Sequence, residues 1–272
     1  MGMKTPERMV IARNFISPSL IDSISTSNMT FAAGGGKDNL EYEDPWLVMS
    51  TASITGAPQI EIVFVGSHTF NVFGFVNHYG LNGSVFTLAS HDGGGWNDIG
   101  TFGVHSDDPQ SDVLVYFDDV TEDDGGQSRL RVTWNSDPGI ENLQIGTLFW
   151  GQGIEPTQNP DAGVTVKISD VPVLVEEAAG GARHTIFGAD KEGLSEQLVF
   201  SRLPWDDLNK IRQLPRQHMI GVLPMEQGPA GIGAFGMPHF FGTIRSIKAS
   251  PQTGESTIDY RYDALVDMIG AV

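Results

Sequence analysis

The sequence contains no cysteine, which excludes disulfides, thiolate nucleophiles and cysteine-bound zinc or iron–sulfur centres. Stability therefore has to come from packing. Cations are also scarce: 16 Lys and Arg stand against 34 Asp and Glu, a formal charge of −18. Such a surface repels nucleic-acid phosphates and anionic lipid headgroups, so neither direct nucleic-acid binding nor membrane insertion is expected. No segment approaches the roughly 18 consecutive apolar residues of a spanning helix. Residues 1–14 lack the continuous apolar centre of a secretory signal, and synthesis in the cytoplasm is the expectation. Fixed-period repeats and low-complexity tracts are absent.

What remains is a folded chain of 272 residues, 40% hydrophobic and 18% charged, with 33 Gly and 15 Pro. That length supports one large core or two medium ones, and the Gly and Pro content favours strands and turns over helices. Residues 60–92 are the most informative. Ile60, Ile62 and Phe64 share one side of an extended chain, and Val72 and Val76, then Val85 and Thr87, continue the β-branched character. Gly66-Ser67, Gly80 and Asn82-Gly83 punctuate these runs with short turns.

Further strands are expected at 112–117, 129–134 and 144–150, a spacing that suggests a jelly-roll β-sandwich. Residues 164–168 alternate and are read as closing that domain. Residues 1–45 read as lead-in strands and loops, 46–169 as the jelly roll, and 170–272 as a smaller β-rich α+β domain. In the last, Pro204, the acids Asp206 and Asp207, and the stripe Trp205, Leu208, Ile211 predict one short helix. Residues 264–269 read as helical or frayed. The fold class is thus mainly β.

Candidate chemistry is sparse. Gly231, Gly233 and Gly236 match a dinucleotide fingerprint in letters, but Pro229 before them and Pro238 after them forbid the required helix start. The histidines lack metal-site spacing, and His78, following Asn77 at a strand end, is the one singled out, either as a turn cap or as a ligand contact. Acidic loops at Asp107-Asp108, Asp118-Asp119 and Glu122 to Asp124 offer the hard oxygens calcium takes. Their spacing misses the calcium-loop pattern, so no cofactor or metal is assigned and structural calcium stays as the alternative. No Gly-x-Ser-x-Gly elbow and no distinctive carboxylate pair is present, and no enzyme is expected. Trp134 and Trp150 fall inside strands and read as core. Trp96, after Gly93 to Gly95, is the better exposed candidate for stacking on a sugar, with Trp46 as a lesser one.

Residues 70–79 (Phe-Asn-Val-Phe-Gly-Phe-Val-Asn-His-Tyr), 129–134 (Arg-Leu-Arg-Val-Thr-Trp) and 143–151 (Leu-Gln-Ile-Gly-Thr-Leu-Phe-Trp-Gly) together resemble bacteriophage tail-tip or baseplate proteins with a galactose-binding-like jelly roll. The second part, with helix 205–213 and the returning run 241–244, is similar to the accompanying domain of that family. The resemblance implies a virion structural protein that joins the tail tube to distal tail or fibre proteins as an oligomeric ring, located in the virion tail. It departs at Tyr79, where the family commonly has Asn. The alternatives are a carbohydrate-binding module for a cell-surface glycan and, less favoured, a glycan-cleaving enzyme. His78, Tyr79 and Trp96 are the candidate ligand or partner contacts.

Overall fold

The computed structural model describes residues 3–4, 6–43, 47–79, 81, 83–103, 113–121, 123–135, 143–160, 165–169, 193–214, 220–223, 240–252 and 261–270. The chain forms two compact units, Met1–Glu155 with Ile220–Phe240, and Pro156–Met219 with Phe241–Val272. The boundary expected near Asp170 falls outside the described residues.

In the first unit the strands are β1 (Met3–Lys4), β2 (Val10–Asn14), β3 (Ile21–Phe31), β4 (Met49–Phe64), β5 (Phe70–Tyr79), β6 (Val85–His91), β7 (Trp96–Gly103), β8 (Val113–Val120), β9 (Arg129–Trp134) and β10 (Gln144–Ile154). The second unit begins with β11 (Thr165–Ser169), β12 (Gly193–Pro204) and α1 (Trp205–Gln213). After β13 (Ile220–Leu223), which pairs with β2 in the first unit, come β14 (Phe240–Pro251) and β15 (Arg261–Gly270). All pairings named below are antiparallel.

The first unit is a β-sandwich. One sheet runs β1-β8-β5-β10-β2-β13, and the other runs β3-β4-β9-β6-β7. Met49 and Ser50 of β4 also pair with β10, so one strand serves both sheets. Alternation explains the strands. Ile60, Ile62 and Phe64 of β4 are buried, as are Leu130, Val132 and Trp134 of β9, with the residues between them turned outward. Aromatics pack within and between the two sheets: the ring centroid of Phe73 on β5 lies 4.5 Å from that of its ladder partner Trp150 on β10, Phe75 reaches across to Phe86 on β6 at 5.0 Å, and Phe86 lies 4.9 Å from its own partner Trp134 on β9. Each such side chain, removed from water, contributes roughly 1.5–3 kcal/mol.

Close backbone approach fixes two glycines of the segments 70–79 and 143–151. A Cβ on Gly151 would stand 2.2 Å from the Arg13 carbonyl oxygen on β2 and 2.5 Å from the Phe149 ring, and one on Gly74 would stand 2.3 Å from the Val113 oxygen on β8. Gly151→Ala is therefore expected to cost about 1–3 kcal/mol by overpacking. Chemical denaturation measures this, and an unchanged midpoint would contradict the packing.

The second unit is a sheet in the order β11-β12-β15-β14. Helix α1 forms as expected, with Asp206 and Asp207 in its first turn and Leu208 and Ile211 fully buried, although Pro204 stands one residue ahead of the helix as its cap. Asp207 is buried and accepts from the Thr157 amide at 2.8 Å and the Thr157 hydroxyl at 2.6 Å. Two expectations are corrected. Residues 165–169 pair with β12 and do not close the sandwich. Residues 264–269 lie in strand β15, where Ala264, Val266 and Met268 are buried at every second position. A short apolar run fits either period, and pairing with β12 and β14 decides it.

Candidate functional site

The outward residues of the second sheet bring an indole, two guanidinium groups, an imidazole and carboxylates together. The β6–β7 register places His91 opposite Trp96, and β9 carries Arg129 and Arg131 outward between buried Leu130 and Val132. Arg131 pairs with Glu61 of β4 and Ala89 of β6 along the ladder, so three strands converge on one patch. The half-buried Trp96 ring has the Arg131 guanidinium 4.1 Å and the Arg129 guanidinium 5.3 Å from its centroid, and the His91 ring edge-on at 5.1 Å. The Nε of Arg131 is buried without a hydrogen-bond partner among the described residues.

Charges around the indole are held in place. Arg129 donates to Glu61 at 2.7 Å and lies 3.6 Å from Asp124, whose carboxylate is also 2.8 Å from His91 Nδ1. The hydrogen bond to Glu61 is the largest effect holding Arg129 above the usual guanidinium range. Asp92 caps the hairpin turn, accepting from the Asn97 side chain at 3.0 Å and from the amides of Gly94 and Gly95 at 2.8 and 2.9 Å. These donors, Asn97 first, hold its carboxyl below the usual range. The sign follows: a carboxyl lower in the folded chain supports the turn above the unfolded carboxyl range and loses that support as pH falls through its own titration. The Gly94 and Gly95 amide resonances are expected to move together in acid, and Asp92→Ala to abolish the movement. Amides that ignore pH in the unsubstituted chain would contradict the capping.

The other expected contacts separate. Asn77 adopts a left-handed φ of 50°, which Asn tolerates. Beyond it His78 is buried, edge-on to Phe75 at 6.3 Å, while Tyr79 is 49% exposed at the strand end opposite Gln144. His78 is thus packed in the interior beside Phe75. Trp134 and Trp150 are core, as expected, whereas Trp46, His105, His184, His218, His239, Asp107, Asp108, Glu122 and residues 224–239 lie outside the described residues. The described acids of the expected loops are engaged: Asp118 with Lys4 at 2.5 Å, Asp119 with the Asn71 amide at 2.8 Å, and Asp123 with the Ser67 hydroxyl at 2.7 Å. Among the described residues no group of three or more His, Asp or Glu side chains is gathered to hold a metal. Glu61, His91, Arg129 and Arg131 were not selected as site residues from sequence, although Arg-Leu-Arg-Val alternation already points both arginines outward.

No family model and no curated protein matches the chain. Among solved structures it is similar to the carbohydrate-binding and M60 catalytic domains of Clostridium perfringens ZmpB, at 10% identity and a TM-score of 0.42, over 54% of this chain and 17% of that one. A shorter piece of the same protein, its CBM32-1 and CBM32-2 domains, aligns at 12% identity and a TM-score of 0.40, over 50% of this chain and 36% of that one. Chitosan-binding module 1 of a Paenibacillus sp. IK-5 chitosanase/glucanase aligns at 15% identity and a TM-score of 0.39, over 50% of this chain and 97% of that module. The chain thus spans well under two thirds of the first two structures. The likeness is one of β-sandwich architecture, and no functional conclusion rests on it.

Proposed function

We propose that the first unit is a non-catalytic carbohydrate-binding module that attaches its bearer to a glycan-covered surface. The observation that carries this reading is Trp96, half-exposed at a hairpin start and fixed by Arg131, Arg129 and His91 on the outer face of a rigid sheet. A saccharide presents C–H faces to an indole and hydroxyls to guanidinium donors and carboxylate acceptors, and all three partners meet here. Three acids of the patch are already engaged, Glu61 by Arg129 among them. Asp92 is spent on turn amides, and Asp124 is shared by His91 and Arg129. On a glycan array, Trp96→Ala should lose at least tenfold in binding while the chain still unfolds in one cooperative transition, less stable by about 1–2 kcal/mol for the half-buried ring and its guanidinium contacts. An array on which the unsubstituted chain binds nothing would sink the proposal.

A second reading, a structural ring component of a bacteriophage tail tip, rests on the resemblance in sequence. Of the three segments that carry it, 70–79 and 143–151 lie side by side, with Phe73 opposite Trp150 and Phe75 opposite Leu148, whereas 129–134 lies in the other sheet. The two readings are compatible, since a tail-tip protein can also hold a surface glycan. Light scattering and localisation in purified particles test this one. A monomer absent from virions would refute it.

A further inference from the structure

His91 is held by two partners that ask opposite things of one atom. The Gly93 amide donates to its Nδ1 at 3.1 Å, which requires that nitrogen to be bare. The Asp124 carboxylate lies 2.8 Å from the same nitrogen, which requires it to carry a proton. No single state of the ring serves both. The competitors are themselves fixed. Asp124 stands in a turn closed by its amide on the Gln127 oxygen at 2.8 Å, and Gly93, at a left-handed φ of 84°, stands in the turn that Asp92 caps. The imidazole is 16% exposed and edge-on to Trp96 at 5.1 Å, so a change of partner is felt at the indole.

The described charged groups of the patch and its two turns are Glu61, Asp92, Asp98, Asp123, Asp124, Arg129 and Arg131. Glu61 holds Arg129, Asp92 accepts from Gly94, Gly95 and Asn97, and Asp123 accepts from the Ser67 hydroxyl and the Gly126 amide. Asp98 stands opposite Ala89 further along the hairpin, and Arg131 lies on the indole. Among the described residues Asp124 is thus the carboxylate that answers to the charge of the ring.

We infer that His91 is a proton-operated switch that tightens glycan binding at Trp96 in mild acid; it rests on the glycan reading for its use but not for its chemistry. Imidazole is the side chain that ordinarily changes charge between about pH 5 and 8. Protonated, the ring donates from Nδ1 to Asp124 in a charge-assisted bond, and the Gly93 amide turns to water. Neutral, with its proton on Nε2, the ring accepts from Gly93, and its bare Nδ1 repels the carboxylate, which passes to Arg129, 3.6 Å away. The first state ties the ring and Arg129 to one carboxylate beside the indole. The second releases the ring from it.

Proton–nitrogen correlation spectra of the full chain across that range test the switch without any glycan. The Gly93 amide and Trp96 indole resonances should move together with the ring, and Nε2 should carry the proton of the neutral ring. Both movements should vanish in His91→Phe, which keeps a ring against Trp96 and has nothing to titrate. A neutral ring that keeps its proton on Nδ1, or a Gly93 amide indifferent to the titration of the ring, would overturn the inference. The affinity for the strongest glycan from the array should fall about fivefold from about pH 5.5 to 8 in the unsubstituted chain, the worth of about one hydrogen bond, and stay flat in His91→Phe. A flat or opposite profile with the glycan still bound overturns the inference and leaves the glycan reading standing. A chain that binds nothing on the array sinks both.

Discussion

Trp150→Ala is expected to destabilise the first unit by about 3–5 kcal/mol, the range for removing a large buried aromatic. Trp150 is 1% exposed and meets Phe73 at 4.5 Å and Phe70 and Phe117 at 6.3 Å each. Its neighbours stand on strands whose positions are set by backbone pairing, β5 beside β10 and β8 beside β5, so they cannot close on the space left behind. Urea denaturation reads the loss as a lower midpoint at constant slope. A loss under 1 kcal/mol would mean that the β5–β10 contact is not the centre of the core.

Asn14→Leu should cost about 2–4 kcal/mol although it adds apolar volume. Asn14 is 1% exposed, donates to the Leu148 oxygen at 3.2 Å, and accepts from the amides of Ile16 and Trp150 at 3.2 and 3.0 Å. Leucine supplies none of these, and each buried backbone group left without a partner costs about 1–3 kcal/mol. Asn14→Asp is the informative companion, because it keeps the acceptor for the two amides and loses only the donor. It should fall between Leu and the unsubstituted chain at neutral pH if its charge is tolerated by those amides. Leu at least as stable as Asn would contradict the bonding. The Trp150 and Asn14 effects are not expected to add, since Asn14 accepts from the amide of Trp150 itself.

Much of the sandwich was legible because its strands alternate. Residues 129–134 appear as β9 with the expected bounds, and Ile60, Ile62 and Phe64 face inward as their spacing dictates. The lengths of β3 and β4 were not legible. Ser, Thr, Asn and Gly fill them, and β3–β4 pairing, with register shifts near Ser23, Met29 and Phe31, makes them strands. Strand β7 was missed because only Ile99 in it is buried, so its sequence shows no inward period. Residues 165–169 were given to the wrong unit because alternation marks a strand without naming its partner, and that partner, β12, lies beyond residues 170–192.

The site was half legible. Three glycines before Trp96 announced an exposed indole, and the structure places it half-buried at the start of β7. The arginines that hold it come from β9, which meets β7 only through β6, a juxtaposition set by sheet order and invisible to local pattern. His78 misled for the opposite reason. Asn77 beside it carries the turn-like φ that the pair suggested, yet the imidazole itself packs on Phe75 in the core.

The most direct test of the glycan reading is amide and indole chemical-shift mapping of the isotope-labelled chain titrated with the strongest glycan from an array. The account predicts that the largest shifts fall on Trp96, His91 and Arg131 and vanish in Trp96→Ala. Shifts centred elsewhere, or unchanged by that substitution, would contradict it.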